Sequence, residues 1–219
     1  VGMLTLGTAT PHLIRMIGVN FDWEITIVVA SILSLTGGFL IYLLGAGPYL
    51  TPVNKSAAFS KNYRRLLQNR HYIASAAGYF GHMWELYAFW VCVPLFLTIA
   101  LDNPPIAQIS GYSFLIIGIG FLGCLISGIL SQKYGNAPIA AISLLSSGLA
   151  CLFYPLLSTD VIIIKIGLLV VWGFFVIADS PLYSAISAVV APPKLVGSAL
   201  VLQNCIGFSV SMISIFLCT

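Results

Sequence analysis

The sequence predicts an all-α integral membrane protein, a bundle of about seven transmembrane helices. Three observations favour this fold class: 59% of the 219 residues are hydrophobic, the mean hydropathy is +1.04, and only nine basic and six acidic side chains are present. About 25% of the residues in a soluble domain are charged, whereas the charged share here is 7%. An ordinary water-soluble domain is therefore excluded.

Charged residues divide the chain into seven apolar segments. They cover residues 1–14, 25–46, 72–101, 112–131, 138–157, 161–190 and 197–219. Each should be a helix, because a lipid-exposed backbone must satisfy its own hydrogen bonds and these runs are longer than barrel strands. The first segment is too short to cross a bilayer and the last ends without a polar tail. We therefore expect a fragment of a longer membrane protein, with its first and last helices truncated.

The connection between the second and third segments predicts the topology. It carries no acidic residue and five basic ones, namely Lys55, Lys61, Arg64, Arg65 and Arg70. The positive-inside rule makes this stretch cytoplasmic, and alternation then places seven of the nine basic residues inside. Apolar residues at roughly helical spacing within residues 57–67 predict either an amphipathic helix on the inner leaflet or a flexible tether.

Small residues recur every four positions in the fourth and fifth segments. The fourth segment has Gly120, Cys124 and Gly128 on one line and Gly123, Ser127 and Ser131 on another, and the fifth has Ser143, Ser147 and Cys151. Such smooth faces let two helices approach closely. We expect them to be packing surfaces.

The third segment carries the most informative polar residues. Glu85 lies roughly 20 Å from the start of its helix at 1.5 Å per residue, near the middle of the bilayer. A carboxylate there costs about 2.5 to 3.5 kcal/mol, so it should face a partner or a wet cavity. His82 lies on the same helical face, which lets the pair share or relay a proton. We predict that His82, Glu85 and the intervening Trp84 line a substrate or proton pathway; alternatively, Glu85 and His82 only hydrogen-bond to neighbouring helices.

A second buried acid, Asp179, is expected near the inner end of the sixth segment. Lys133 lies on the same, inner side of the membrane, in the turn that follows the fourth segment. A salt bridge between Lys133 and Asp179 is therefore geometrically possible. The prediction is a structural or gating latch that includes Asp179, Lys133 and the turn glycines Gly128 and Gly135.

Two amides, Gln203 and Asn204, lie about two turns into the seventh segment. They are candidates for the wall of the same pathway. Interhelical hydrogen bonding without any ligand is the alternative.

Several functional classes are excluded by missing motifs. The sequence has no phosphate-binding loop, no zinc-protease helix and no nucleophile elbow, so we expect no enzyme and no catalytic residue. The basic residues are too few to follow a nucleic acid backbone. The five cysteines are scattered without a C-x-x-C pair, which argues against a metal site. No cofactor is expected.

The short turn at residues 128–136 carries a family resemblance. Its sequence GILSQKYGN resembles the G-x-L-a-D-r-x-G-r turn of the major facilitator superfamily, in the form that follows the eighth of twelve helices. The glycines, the leucine and a basic residue match, whereas Gln132 replaces the usual Asp and Asn136 replaces a basic residue.

The resemblance implies a register for the whole chain. The seven segments would be helices five to eleven of a major-facilitator-type helix bundle. Residues 1–46 would end the N-terminal six-helix half, residues 47–71 would be the central cytoplasmic basic linker, and residues 72–219 would be the C-terminal half without its last helix. Residues 81–87, 178–181 and 203–207 look similar to bacterial members grouped loosely with nitrate/nitrite transporters.

The family also implies a function. Members of this kind are secondary active transporters that expose a midplane site alternately to each side of the membrane. For this chain that implies a monomer in the cell (inner) membrane of a bacterium, whose partners are the lipid bilayer and a small molecule or ion moved by proton-coupled symport. His82 and Glu85 would lie on the transport path. A non-transporting membrane subunit and a seven-helix receptor-like protein are the alternatives.

Overall fold

The structure is a computed structural model that describes residues 1–18, 22–45, 64–157 and 161–218. Within these ranges the chain forms α-helices and no strands. The helices are α1 (Gly2–Ile17), α2 (Trp23–Leu44), α3 (Arg70–Ala100), α4 (Ile106–Gly118), α5 (Gly120–Tyr134), α6 (Asn136–Phe153), α7 (Ile162–Phe175), α8 (Ser180–Val190) and α9 (Val196–Cys218). A short 3-10 turn at Tyr154–Leu156 follows α6, and another at Pro193–Leu195 lies between α8 and α9.

Among the residues that the structure describes, six helical stretches are long and apolar enough to cross a membrane, which confirms the predicted fold class. They are Ile27–Leu44, Arg70–Ala100, Ile106–Tyr134, Asn136–Leu156, Ile162–Val190 and Pro193–Cys218. The first predicted segment is α1, with 16 residues. Most of the predicted amphipathic stretch at residues 57–67 lies outside the described residues, although Leu66 is buried against Tyr72 and Ala191.

The fourth and sixth segments each consist of two helices, which the hydropathy pattern does not reveal. Helix α4 passes into α5 at Ile119, and α7 passes into α8 through a turn at residues 176–179. In that turn the backbone N–H of Ala178 donates to the carbonyl of Phe175, and the N–H of Ser180 to that of Ile177, both at 3.1 Å. Pro181 lies in the first turn of α8, where its missing N–H costs nothing and its fixed φ suits a helix start.

The two interrupted segments cross with almost no side chain between their backbones. A Cβ added to Gly123 of α5 would collide with the carbonyl oxygen of Phe174, and one added to Gly173 of α7 would collide with that of Ile116. Only glycine permits this approach, so the predicted close-packing role of the small-residue face in the fourth segment is confirmed at Gly123. Gly128, which belongs to the other predicted line of small residues, has open space beside it.

Side chains of α5 donate hydrogen bonds to two carbonyl groups in the turn that interrupts the sixth segment. The hydroxyl of Ser127 donates to the carbonyl of Ala178 at 2.6 Å, and the thiol of Cys124 donates to that of Ile177 at 3.4 Å. In lipid each unsatisfied carbonyl costs several kcal/mol. The turn at 176–179 is therefore tied to α5 at two points.

Replacing Gly123 with alanine is expected to destabilise the folded protein by about 1 to 3 kcal/mol, because the methyl group meets backbone atoms that cannot rotate away. The matched control is Gly128→Ala in the same helix, which should leave stability unchanged or raise it, since alanine is the better helix former. Thermal unfolding of the purified variants in detergent measures the difference. Equal melting temperatures for the two variants would contradict the close crossing.

The remaining helices pack around α3. Helix α9 runs along it with Gly207 against Tyr79, and α8 lies beside it with Tyr183 against Gly78. Helix α1 packs on α4 and α5, whereas α2 contacts α1 and none of its described side chains is buried. The largest apolar core lies between α3, α4 and α7 and includes Phe89, Val93, Leu97, Ile116, Leu169 and Trp172.

Candidate functional site

Glu85 lies at the midpoint of α3, and its side chain is partly buried. One carboxylate oxygen accepts a hydrogen bond from the indole N–H of Trp172 at 3.0 Å, and the other accepts from the hydroxyl of Ser147 at 2.9 Å. Trp172 belongs to α7 and Ser147 to α6, so this single acid connects three helices. Both donors are neutral, and the charge itself has no counter-ion among the described residues.

The same carboxylate forms part of the wall of a cavity of about 610 Å³ between α3, α6 and α7. Small-molecule sites usually have volumes of about 300 to 1,000 Å³. The rest of the lining is aromatic, aliphatic or thiol-bearing, and includes Trp84, Cys92, Phe96 and Leu149. Glu85 is the only charged side chain in the described lining of this cavity.

Aromatic packing fixes the donor that holds Glu85. The ring centroid of Trp172 lies 4.7 Å from that of Phe89 and 6.1 Å from that of Phe96, the second pair being nearly parallel at 28°. Trp172 and Phe89 are buried in the core. Since the indole cannot easily turn, it presents its N–H at a constant position, and the carboxylate is oriented by a rigid neighbour.

His82 does not pair with Glu85, contrary to the shared pathway that the sequence suggests. Its Nδ1 atom lies 2.7 Å from Oδ1 of Asp179, and both side chains are only 1% exposed. The contact is close enough for an ion pair when the histidine is protonated, but its angles are not those of a hydrogen bond. Neither side chain has a hydrogen-bond partner within the described ranges. This buried contact connects α3 to the start of α8, which Asp179 directly precedes.

The predicted salt bridge between Asp179 and Lys133 is not formed. Asp179 lies at the interruption in the middle of the sixth segment, inside the bundle, whereas Lys133 lies at the exposed end of α5 with its ammonium 5.2 Å from the ring of Tyr134. The prediction was wrong because it placed Asp179 near the inner end of a continuous helix. Gly135 ends α5 with φ +88°, a conformation that favours glycine, and Gly128 has open space beside it.

Gln203 and Asn204 point to different environments. Gln203 is fully buried and its carbonyl oxygen accepts a hydrogen bond from Ser187 of α8, whose hydroxyl also lies 2.9 Å from that of Ser75 on α3. This is the interhelical bonding that the sequence left open as the alternative. Asn204 is exposed. Neither amide is part of the wall of the cavity beside Glu85.

A second cavity of about 680 Å³ lies between α3, α6 and α8, nearer the start of α3. Its lining includes His71, Ala74, Gly78 and Tyr183. Leu144 and Leu145 of α6 belong to the walls of both cavities. The two hollows therefore follow one face of α3 and meet at this pair of leucines.

Sequence reasoning missed the two residues that hold Glu85. Ser147 is part of the small-residue face of the fifth segment, and Trp172 looks like an ordinary packing residue; each has a polar hydrogen that a buried acid requires. Within the part of the chain that the structure describes, no three His, Cys, Asp or Glu side chains come together in a way that could hold a metal ion.

Comparison with known proteins gives one match. The family model described as Major Facilitator Superfamily matches residues 1–215, nearly the whole chain. No curated protein and no solved structure matches the chain.

Proposed function

The chain belongs to the Major Facilitator Superfamily, and from that premise we propose that it moves a small solute by alternating access, coupled to protons through Glu85. Family membership makes it a multi-pass membrane transporter. The observation that supports the finer proposal is the Glu85 carboxylate, which lies halfway along a transmembrane helix at the wall of a 610 Å³ cavity. Ionisable groups inside membrane proteins commonly mark substrate or proton pathways.

The route that we propose follows the face of α3 along which both cavities lie. With the basic connection on the cytoplasmic side, the cavity near His71 opens inward and the cavity near Phe96 lies toward the outside. Leu144 and Leu145, which belong to the walls of both cavities, would form the barrier between them. Alternating access requires such a barrier, because a path open at both ends would dissipate the gradient that drives transport.

We assign the gating role to the interrupted sixth segment. Asp179 precedes α8 and contacts His82 of α3, so a relative movement of the two helices would have to break this buried contact. Discontinuous membrane helices commonly lie at the coupling sites of transporters. The turn with Gly128, Lys133 and Gly135 stays in the proposal as the inner-side latch, without a direct contact to Asp179.

The remaining features of the proposal come from the sequence. Residues 1–46 and 72–219 belong to two halves joined by the cytoplasmic linker 47–71, and the protein works as a monomer in the inner membrane of a bacterium. A proton symporter is the simplest coupled form. The grouping with nitrate/nitrite transporters receives no support from the cavity, since no cationic side chain of the described lining could hold such an anion.

Solute-driven proton movement tests this function. The purified protein is reconstituted into liposomes that contain a pH-sensitive dye, and cationic, neutral and anionic solutes are added one class at a time. At least one class should change the internal pH faster than in empty liposomes. A lack of change with every class would overturn proton coupling and favour the non-transporting subunit.

A further inference from the structure

Glu85 has hydrogen-bond donors but, in the described part of the chain, no positive charge to balance it. The described residues contain one ion-pair contact within 4.0 Å, that of His82 with Asp179, so no lysine or arginine reaches Glu85. An acid in a structural ion pair would have such a partner. Because Glu85 lies at the wall of a cavity, a cationic ligand bound in that cavity can supply the missing positive charge.

The rest of the lining suits an apolar, aromatic molecule. Trp84 is exposed beside Glu85, and Phe96 is half-buried farther along the same face of α3. A cation within about 6 Å of an aromatic ring is attracted to its face, most strongly for Trp. The described lining contains no amide or hydroxyl side chain of the kind that a sugar would require. The hydroxyl of Ser147, which donates to the carboxylate, is not part of that lining.

We propose that the cavity binds a lipophilic organic cation, with its charge on the Glu85 carboxylate and its hydrocarbon groups against Trp84, Phe96 and the leucines of α6. This inference rests on the proposed function and names the substrate class of the same site. A nitrate or nitrite ion would meet a carboxylate in place of a cation, and a neutral sugar would leave that carboxylate unbalanced.

One carboxylate cannot hold a proton and balance an organic cation at the same time. Binding of the cation should therefore weaken as the pH falls and Glu85 becomes protonated. For this substrate class, the coupling through Glu85 is then an exchange of the cation for a proton, which replaces the symport named above. Other titratable groups near Glu85 are His82 on its own helix, Asp179 before α8 and the thiol of Cys151 on α6. His82 and Asp179 are enclosed at 1% exposure, and a thiol carries no positive charge, so Glu85 is the group through which protons compete.

Two probes of nearly equal shape and opposite charge test the inference. Tetraphenylphosphonium and tetraphenylborate are titrated separately onto the purified protein in nanodiscs, with equilibrium dialysis as the readout. After the uptake by empty nanodiscs is subtracted, the expected result is saturable binding of tetraphenylphosphonium, with tetraphenylborate at least tenfold weaker. Equal binding of both ions would overturn the assignment, since it would show an apolar hollow without charge selection.

Variants then locate the charge. Glu85→Gln should weaken tetraphenylphosphonium binding at least tenfold. Glu85→Asp, which keeps the negative charge, should retain most of the binding. The control Glu24→Gln, at the exposed start of α2, should leave the binding unchanged. If Glu85→Gln fails to fold, a chemical protection assay on the wild-type protein replaces it. Bound tetraphenylphosphonium should slow the modification of Glu85 by dicyclohexylcarbodiimide, as measured by mass spectrometry. Unaltered modification would refute the site.

The two proposals can fail separately. Proton movement driven by a neutral or anionic solute, without tetraphenylphosphonium binding, would leave the transport function standing and reject the cation class. Charge-selective binding that depends on Glu85, without proton movement for any solute class, would keep the cation site and reject proton-coupled transport.

Discussion

Replacing Glu85 with glutamine is expected to reduce proton-coupled solute accumulation to the level of empty vesicles while the protein stays folded in the membrane. Glutamine has nearly the same size and keeps a carbonyl oxygen for the indole N–H of Trp172. The hydroxyl of Ser147 also donates to the carbonyl of Leu144 at 3.0 Å, so it retains a partner. Only the exchangeable proton and the negative charge are lost.

Uptake into energised vesicles at several pH values measures this effect, with the amount of inserted protein determined in parallel. Glu24→Gln is the matched control, because Glu24 is an exposed acid at the start of α2. Unchanged pH-dependent uptake in the Glu85 variant would refute the coupling role and leave this acid as a structural connection between three helices.

Removing the imidazole of His82 is expected to destabilise the protein by about 3 to 5 kcal/mol, because the carboxylate of Asp179 is then left buried without a partner. The double variant His82→Leu with Asp179→Leu should recover most of this loss, since a pair of apolar side chains is often as stable as a buried ion pair. Asp179 makes no side-chain capping bond to α8, so its replacement does not remove a cap.

Thermal unfolding of both single variants and of the double variant gives the coupling energy. His71→Leu is the control, because His71 is an exposed histidine at the start of the same helix. The contrary outcome is a loss of stability in the double variant that equals the sum of the losses in the two single variants. That result would show that His82 and Asp179 do not act as a pair.

Hydropathy and charge were sufficient to predict where the helical segments lie, because the apolar residues of each segment follow one another without a break in the sequence. They could not show that the fourth and sixth segments are interrupted, since apolar residues continue through both breaks. The sequence does contain a local signal for the second break: Asp179 followed by Ser180 and Pro181 is typical of a helix start. Recognising it would have moved Asp179 from the inner end of a helix to the middle of the bundle.

The candidate site was only partly predictable, for a different reason. The position of Glu85 within an apolar helix identified it as an acid that requires partners. Which residues fill that role depends on contacts between residues distant in sequence: Ser147 and Trp172 come from two other helices, and His82 faces Asp179 in place of Glu85. Helical spacing shows which residues share a face, but not which neighbour lies opposite.

The bonds from Ser127 and Cys124 to the carbonyl groups of Ala178 and Ile177 limit how this molecule can change shape. Bending the chain further at that turn would break both side-chain bonds, and it would leave the buried carbonyl group of Ala178 without its donor. Helices α5, α7 and α8 should therefore tilt together as one rigid block. Shape change must then occur by sliding at the borders of this block, for example where His82 meets Asp179.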